Sequence, residues 1–229
     1  MERRELQLYV DEFLKYHNND DWEAFANQVL RDFGVREAQH ISQMLKKDLI
    51  QITNYYIEDD VVFSYDKKRL IKYSPERWAE EYCIPNFVEN IDDKALTGSL
   101  YLKKVVLSDN ISHIGSRAFE NCKQLCEVFL GHHKSMGRSN VFVNCPKLKI
   151  VRVTELDSLW GCGCDNYGSP FINNTELYIN DEVCEKLVVP MDAKYVCWSI
   201  FKGCTSIKNI EFESNNECII NFLMQQIKN

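Results

Sequence analysis

One pattern recurs along this chain at nearly constant spacing, and it limits the possible folds more than any other feature. In each copy an aromatic or leucine residue is followed three positions later by a small residue and six positions later by an aliphatic one. The copies begin at Leu96, Phe119, Phe142, Phe171 and Phe201, with spacings of 23, 23, 29 and 30 residues. A period of this length is typical of solenoids, in which each repeat buries its apolar face only against its neighbours. The sequence therefore predicts an architecture of stacked coils.

Most copies continue into a short segment with strand-like alternation. The apolar residues at positions nine and eleven are Val105 and Leu107, Val128 and Leu130, Val151 and Val153, and Ile210 and Phe212. Because side chains alternate along a strand, we expect these residues to point into the coil and their neighbours to point outward. Two further segments, which end at Pro85 and Pro190, bring the expected parallel sheet to about six short strands. Hairpins are predicted between Val61 and Tyr73 and around Asn180.

Residues 2–57 show helical rather than strand-like periodicity, and three amphipathic helices are expected there. The second should begin at an Asp20 cap paired with Glu23 and end at Gly34. The third should carry both Ile41 and Ile52 on its apolar face. The expected fold is thus α+β: a small N-terminal helical bundle at residues 1–60, a solenoid at residues 61–213 and a C-terminal capping helix at residues 214–229.

Charge and cysteine usage narrow the function classes. The net charge is −7, and residues 1–60 hold 13 acidic against 7 basic residues, so nucleic-acid binding, which needs a basic face, is not expected. The chain has no apolar run of about 20 residues and hence no expected membrane span. Cys122, Cys145 and Cys204 share one repeat column, which indicates a ladder of small buried thiols rather than disulfides. With no apolar signal segment at the N-terminus, this favours a cytoplasmic location, with an extracellular or cell-surface one as the alternative.

Several motifs together carry a family resemblance. The unit A-F-x-x-C-x-x-L-x-x-V-x-L begins at Ala118, an Ile114-Gly115 pair precedes it, and an L-Y-x-N hairpin begins at Leu177. In these motifs, residues 66–212 resemble the BspA-like leucine-rich-repeat family, whereas the helical region falls outside the resemblance. The resemblance implies a leucine-rich-repeat solenoid. It also implies a binding role, since members of this family are commonly surface or secreted binding proteins of host-associated bacteria.

The function expected from these features is a non-catalytic protein–protein interaction or scaffold protein that binds a protein partner through outward strand positions. These positions are Glu81, Lys104, Val106, Glu127, Phe129, Ile150, Arg152, Lys186, Val188 and Glu211. In a regular solenoid Val106, Phe129 and Val188 would share one column, with Arg152 between the last two. Aromatic and arginine side chains are frequent interface anchors. Solvent-facing strand positions also favour aromatic and β-branched residues for structural reasons alone, so that interpretation stays open.

Other functions are weighed against this one. A bacterial surface or secreted adhesin-like binding protein is the first alternative, and recognition by the acidic helical region is the second. A thiol- or metal-dependent activity in the loop of residues 157–169 is a third, with Cys162 and Cys164 and the earlier pair His132-His133 as candidates. The Cys-x-Cys spacing differs from the redox Cys-x-x-Cys motif, and a closed zinc site needs four ligands. We therefore expect no catalytic residue, no cofactor and no metal.

Overall fold

A computed structural model of the chain describes residues 3–16, 21–131, 141–154, 175–189 and 203–213. In these ranges the helices come first: α1 (Arg3–Tyr16), α2 (Trp22–Phe33), α3 (Val35–Leu45) and α4 (Leu49–Ile52). The strands are β1 (Tyr56–Glu58), β2 (Val61–Phe63), β3 (Arg69–Tyr73), β4 (Glu81–Cys83), β5 (Asn90–Ile91), β6 (Lys104–Val106), β7 (His113–Ile114), β8 (Glu127–Phe129), β9 (Ile150–Val153), β10 (Glu176–Ile179), β11 (Glu182–Val183), β12 (Lys186–Val189) and β13 (Asn209–Phe212). The expected order, a helical region followed by a β-solenoid, is confirmed.

The helices and the first hairpin bury their apolar faces in one shared core. Its members are Val10, Phe25, Ala26, Val29, Leu30, Val35, Ala38, Ile41 and Leu49 from the helices, with Val62 and Ile71 from β2 and β3. Gly34 ends α2 as predicted, with a φ of 90°, and the backbone N–H of Val35 donates to the hydroxyl of Ser74 at 3.0 Å. The helical region therefore contacts the solenoid through this hairpin.

Three details of the helical region differ from the sequence expectation. Helical structure ends at Ile52 rather than near residue 57, because β1 follows and pairs with β2. The third helix is divided, since Lys46 takes a left-handed conformation that ends α3, and Asp48 then caps α4 by accepting from two backbone N–H groups. Asp20 lies outside the described residues; the N-cap of α2 is Asp21, which makes no side-chain capping hydrogen bond.

The solenoid carries two parallel ladders. In the first sheet the order is β1-β2-β3-β5-β7, in which β3, β5 and β7 are parallel and β1 to β3 form an antiparallel meander. In the second sheet the order is β4-β6-β8-β9-β10-β11, in which only β11 is antiparallel. Strands β12 and β13 form a separate parallel pair. Both predicted hairpins, β2–β3 and β10–β11, are present.

The membership of the second sheet differs from the sequence expectation. The strands around Leu187 and Ile210 pair with each other, whereas β10 takes the place beside β9 and puts Leu177 next to Val151. The repeat pattern had aligned Leu177 with Leu148, which lies two residues before β9 begins at Ile150. The positions of Leu148 and Val151 both point into the core, so a leucine fits either of them. In the longer repeat, Leu177 takes the strand position.

Side chains 23 residues apart stack between successive coils. The rings of Phe119 and Phe142 lie 5.1 Å apart between centroids at an interplanar angle of 16°. The thiol of Cys122 donates to the carbonyl oxygen of Leu96 at 3.1 Å, and that of Cys145 donates to the carbonyl oxygen of Phe119 at 2.9 Å. Cys122 and Cys145 therefore form a buried ladder in which each thiol is satisfied by the preceding coil, whereas Cys204 is half-buried and its sulfur lies 3.5 Å from the hydroxyl of Ser206. Within the described ranges the cysteines are free thiols.

The predicted capping helix at residues 214–229 and the candidate loop at residues 157–169 lie outside the described residues. The division of the chain at residue 60 stays a prediction. It falls in the turn that joins β1 to β2.

Candidate binding face

Strands β4, β6, β8, β9 and β10 turn alternate side chains away from the solenoid core. Parallel pairing aligns Glu81, Lys104, Glu127, Ile150 and Glu176 in one row across the sheet, and Cys83, Val106, Phe129, Arg152 and Tyr178 in a second row. The residue between the two rows is buried in each of these strands, whereas the flanking residues are exposed or half-buried. The side chains of the two rows are called the outer face below.

Most of the sequence-predicted binding residues lie on the outer face, but three do not. Lys186, Val188 and Glu211 belong to β12 and β13, where Val188 pairs with Glu211 and the ammonium of Lys186 lies 2.8 Å from the Glu211 carboxylate. The expectation that Val188 follows Arg152 across the sheet is wrong, because Tyr178 occupies that position. The predicted surface is therefore divided between two sheets.

Arg152 is held in place from three sides. Its Nε donates to Glu127 at 2.5 Å, its Nη1 donates to Asp181 at 3.1 Å, and its guanidinium lies 4.3 Å from the centroid of the Tyr178 ring. The hydrogen bond to Glu127 raises the pKa of Arg152 above its ordinary value, so the group stays charged. A guanidinium that is both paired and stacked on a ring has a well-defined position.

Apart from the pair of Glu127 and Arg152, the middle of the outer face is apolar, and its edge at β4 and β6 is charged. Lys104 and Glu81 form an ion pair at 3.1 Å, and the hydrogen bond to Glu81 raises the pKa of Lys104. Val106, Phe129 and Ile150 lie between this pair and Arg152 and are half-buried. An apolar and aromatic centre with a polar margin is the usual anatomy of a protein-binding surface.

Sequence reasoning missed three members of the outer face: Cys83, Glu176 and Tyr178. Cys83 follows Glu81 by two residues in a segment that had been predicted as a strand, so the same alternation would have identified it. Tyr178 had been placed in an inserted hairpin that begins at Leu177, and Glu176 directly precedes that hairpin. The sequence carries no signal that one strand of this hairpin joins the parallel sheet.

The sequence also raised a thiol- or metal-dependent activity as an alternative function. Within those ranges no group of three His, Cys, Asp or Glu side chains is arranged to hold a metal ion. The candidate thiols Cys162 and Cys164 and the pair His132-His133 lie outside the described residues. Across the described ranges, no helix combines the length and the apolar character that crossing a membrane requires.

The 23-residue coil, the short parallel strands and the ladder of buried small residues define a leucine-rich-repeat solenoid. The sequence model that defines the family of BspA-type leucine-rich-repeat regions matches residues 79–159 and 173–229 in six copies. The chain therefore belongs to this family. The match confirms the resemblance seen in the sequence and leaves the helical region outside the family. A search of curated proteins finds no match.

Several solved structures are similar to this chain, and two of the three described next carry leucine-rich names. A leucine-rich cell surface protein of Faecalibacterium prausnitzii is 26% identical, with a TM-score of 0.48, over 72% of this chain and 41% of its own. A leucine-rich-repeat protein of Eubacterium ventriosum is 20% identical, with a TM-score of 0.48, over 69% of this chain and 39% of its own. The pneumococcal vaccine antigen PcpA is 19% identical, with a TM-score of 0.39, over 70% of this chain and 48% of its own. The chain thus spans less than half the length of these three proteins.

Proposed function

We propose that this protein is a non-catalytic binding protein that recognises a protein partner through the outer face. The observation that supports this most directly is the side-by-side placement of Phe129 and Arg152 in neighbouring strands. Because Glu127 and Tyr178 already fix Arg152, binding a partner costs little additional side-chain entropy at this position. An aromatic side chain beside a preorganised arginine has the character of an interface anchor.

The size of the outer face limits how the partner sits on it. Five parallel strands spaced about 4.8 Å apart span about 19 Å, and the exposed rows are only two residues deep. A stable interface buries about 800 Å² on each partner, which is more than such a strip supplies. The partner is therefore expected to extend beyond the strands onto the neighbouring turns.

The test compares two matched substitutions on outward strand positions. The full chain would be used to capture proteins from lysate and culture medium of the source organism, and the affinity of each captured protein would be measured with purified components. Phe129→Asp places a charge at the centre of the outer face and is expected to weaken binding by tenfold or more, because anchor residues commonly contribute 2 kcal/mol or more. Val188→Asp is the matched control, since Val188 is an exposed outward residue on the separate β12–β13 pair.

Equal affinity of wild type and Phe129→Asp, with both proteins folded by circular dichroism, would refute the assignment of the outer face. Recognition by the helical region would then be the leading hypothesis. That hypothesis is better tested by substitution than by deleting residues 1–57, because the deletion would uncover Val62 and Ile71, which are buried against the helices. Leu8 on α1 is 61% exposed, and Leu8→Asp would weaken binding if the helices recognise the partner.

For location we propose the alternative raised by the sequence, a surface-exposed or secreted protein, in line with what the family resemblance implies. The comparisons offer no support for the cytoplasmic location. The test is protease treatment of intact cells followed by detection of the chain. Loss of the protein from intact cells, or its presence in the medium, agrees with the proposal, whereas protection until the cells are lysed contradicts it.

A further inference from the structure

A polar groove lies between helix α2 and the first sheet, on a different sheet from the outer face. Two adjoining hollows, with volumes of about 470 and 420 Å³, share Arg31, Arg69, Ile71 and Asp92 in their walls. Other wall residues are Asn54, Tyr55, Tyr65, Asn90, Asp93 and His113. These two hollows together are called the polar groove below.

The charged groups of the polar groove balance one another. Arg69 forms a two-point pair with Asp92, at 2.9 Å from Nε and 2.6 Å from Nη2. Arg31 donates to the hydroxyl of Tyr55 at 2.7 Å, a bond that raises the pKa of Arg31. With two arginines facing the two carboxylates of Asp92 and Asp93, the walls carry no excess of either sign. A site for an anion would need an excess of basic groups, so the groove suits a neutral ligand.

The walls offer hydrogen bonds of both kinds at once. Each guanidinium has five N–H donors, of which the bonds to Asp92 and Tyr55 use two on Arg69 and one on Arg31. The side-chain amides of Asn54 and Asn90 each provide donors and an acceptor. Pockets for drug-like ligands are mostly apolar with a few polar groups, whereas polar and apolar surface contribute about equally to the walls of this groove. A matching ligand must both donate and accept at many points, as a row of hydroxyl groups does.

Tyr65 adds an aromatic platform at one end of the groove. Its side chain is 85% exposed, although the backbone of its turn is fixed by several hydrogen bonds. The N–H of Ser64 donates to the carbonyl oxygen of Arg69 at 2.9 Å, and the N–H of Lys68 donates to the carboxylate of Asp66 at 3.1 Å. Because the backbone is already fixed, a ligand that stacks on this ring orders only the side-chain torsions of Tyr65.

We propose that the polar groove binds a neutral carbohydrate, with one sugar ring stacked on Tyr65 and sugar hydroxyls hydrogen-bonded to Arg31 and Asp92. A sugar ring combines the two properties that the groove requires, since it has an apolar C–H face and a rim of hydroxyls that both donate and accept. Because the two hollows adjoin, the site suits an oligosaccharide rather than a single sugar. This site is separate from the outer face and does not depend on the proposed protein partner.

The test uses the labelled full chain on an array of neutral, sialylated and sulfated glycans, followed by calorimetry with the best neutral oligosaccharide. Wild type is expected to bind at least one neutral glycan, and Tyr65→Ala is expected to weaken that binding by tenfold or more. Trp78→Ala is the matched control: Trp78 is also highly exposed, at 75%, but it is not part of the groove walls. Phe129→Asp should leave glycan binding unchanged, which separates this proposal from the previous one.

Three results would overturn the proposal. The first is that wild type binds no neutral glycan at millimolar concentration, and the second is that it binds only charged ones. The third is that Tyr65→Ala weakens binding no more than Trp78→Ala does. Tyr65 is exposed in its turn, so a folded variant is expected, and unchanged circular dichroism would show that lost binding is a local effect.

Discussion

Gly115 lies where two coils of the solenoid approach each other closely, and replacing it by alanine is a sharp test of the structure. A Cβ atom at this position would lie 2.4 Å from the backbone carbon of Asp92 and from the backbone nitrogen of Asp93. Real Cβ contacts essentially never fall below 3.0 Å, so the coils must separate by at least the 0.6 Å between these values. Backbone atoms cannot rotate aside, and the strain therefore cannot be relieved by a side chain.

The expected magnitude follows from what that separation disturbs. The N–H of Gly115 donates to the carbonyl oxygen of Ile91 at 2.7 Å, and the N–H of Ser116 donates to the carboxylate of Asp93 at 2.6 Å. Overpacking costs about 1–3 kcal/mol, and weakening one hydrogen bond adds about 1 kcal/mol. The free energy of unfolding should thus fall by about 2–4 kcal/mol, which lowers Tm by about 4–16 °C for a chain of this length.

The assay is urea denaturation followed by circular dichroism, with Gly98→Ala as the control. Gly98 has a φ of 73°, but no atom lies within 4 Å of the Cβ position, so alanine there meets only conformational strain of about 1 kcal/mol. Gly115→Ala should therefore lower the denaturation midpoint at least twice as far as Gly98→Ala, with an unchanged m-value. Equal midpoints for the two variants would refute the close approach of the coils.

Two further predictions concern buried polar groups. Lys72 is 7% exposed, and burial lowers its pKa below the ordinary value of 10.5. At pH values between the folded-state pKa and 10.5, the unfolded chain therefore binds more protons than the folded chain. The free energy of unfolding should therefore rise with pH in that window. The variant Lys72→Met should be more stable than wild type at neutral pH, and its free energy of unfolding, measured by urea titration at several pH values, should rise less steeply with pH. A steeper rise for the variant would contradict the burial of a charged Lys72. Cys83 is exposed whereas Cys122 and Cys145 are buried, and the interaction with the Cys122 thiol, together with burial, raises the pKa of the Cys145 thiol. When the folded protein is alkylated and the products are identified by mass spectrometry, Cys83 should be the one of these three thiols that is modified. Rapid modification of Cys122 or Cys145 in the folded protein would contradict their burial in the ladder.

The repeat pattern predicted the architecture because the relevant information is local. A coil of 23 residues brings each residue beside its equivalent in the next coil, so the stack of Phe119 on Phe142 and the cysteine ladder follow from counting along the chain. Alternation within each strand likewise identified Val106 and Phe129 as outward side chains. Prediction was reliable wherever the spacing stayed constant.

Prediction failed where the spacing changed. Leu177 fitted the leucine column and the strand position equally well, and only the pairing of β10 with β9 distinguishes them. The same pairing brings Tyr178, rather than Val188, beside Arg152. The pattern of apolar residues does not distinguish these two alignments, because both of them bury a leucine in the core.

By itself, the sequence determined that this chain folds as a leucine-rich-repeat solenoid behind a helical region, and which side chains of each regular coil face inward. Only the tertiary structure decided which strands are neighbours across the longer repeats, how closely Gly115 approaches the preceding coil, and that Arg31 meets Arg69 and Tyr65 in one groove. The physical reason is the range of the interactions involved. Periodic burial is set by residues a few positions apart, whereas these contacts join segments that only the packed coils bring together.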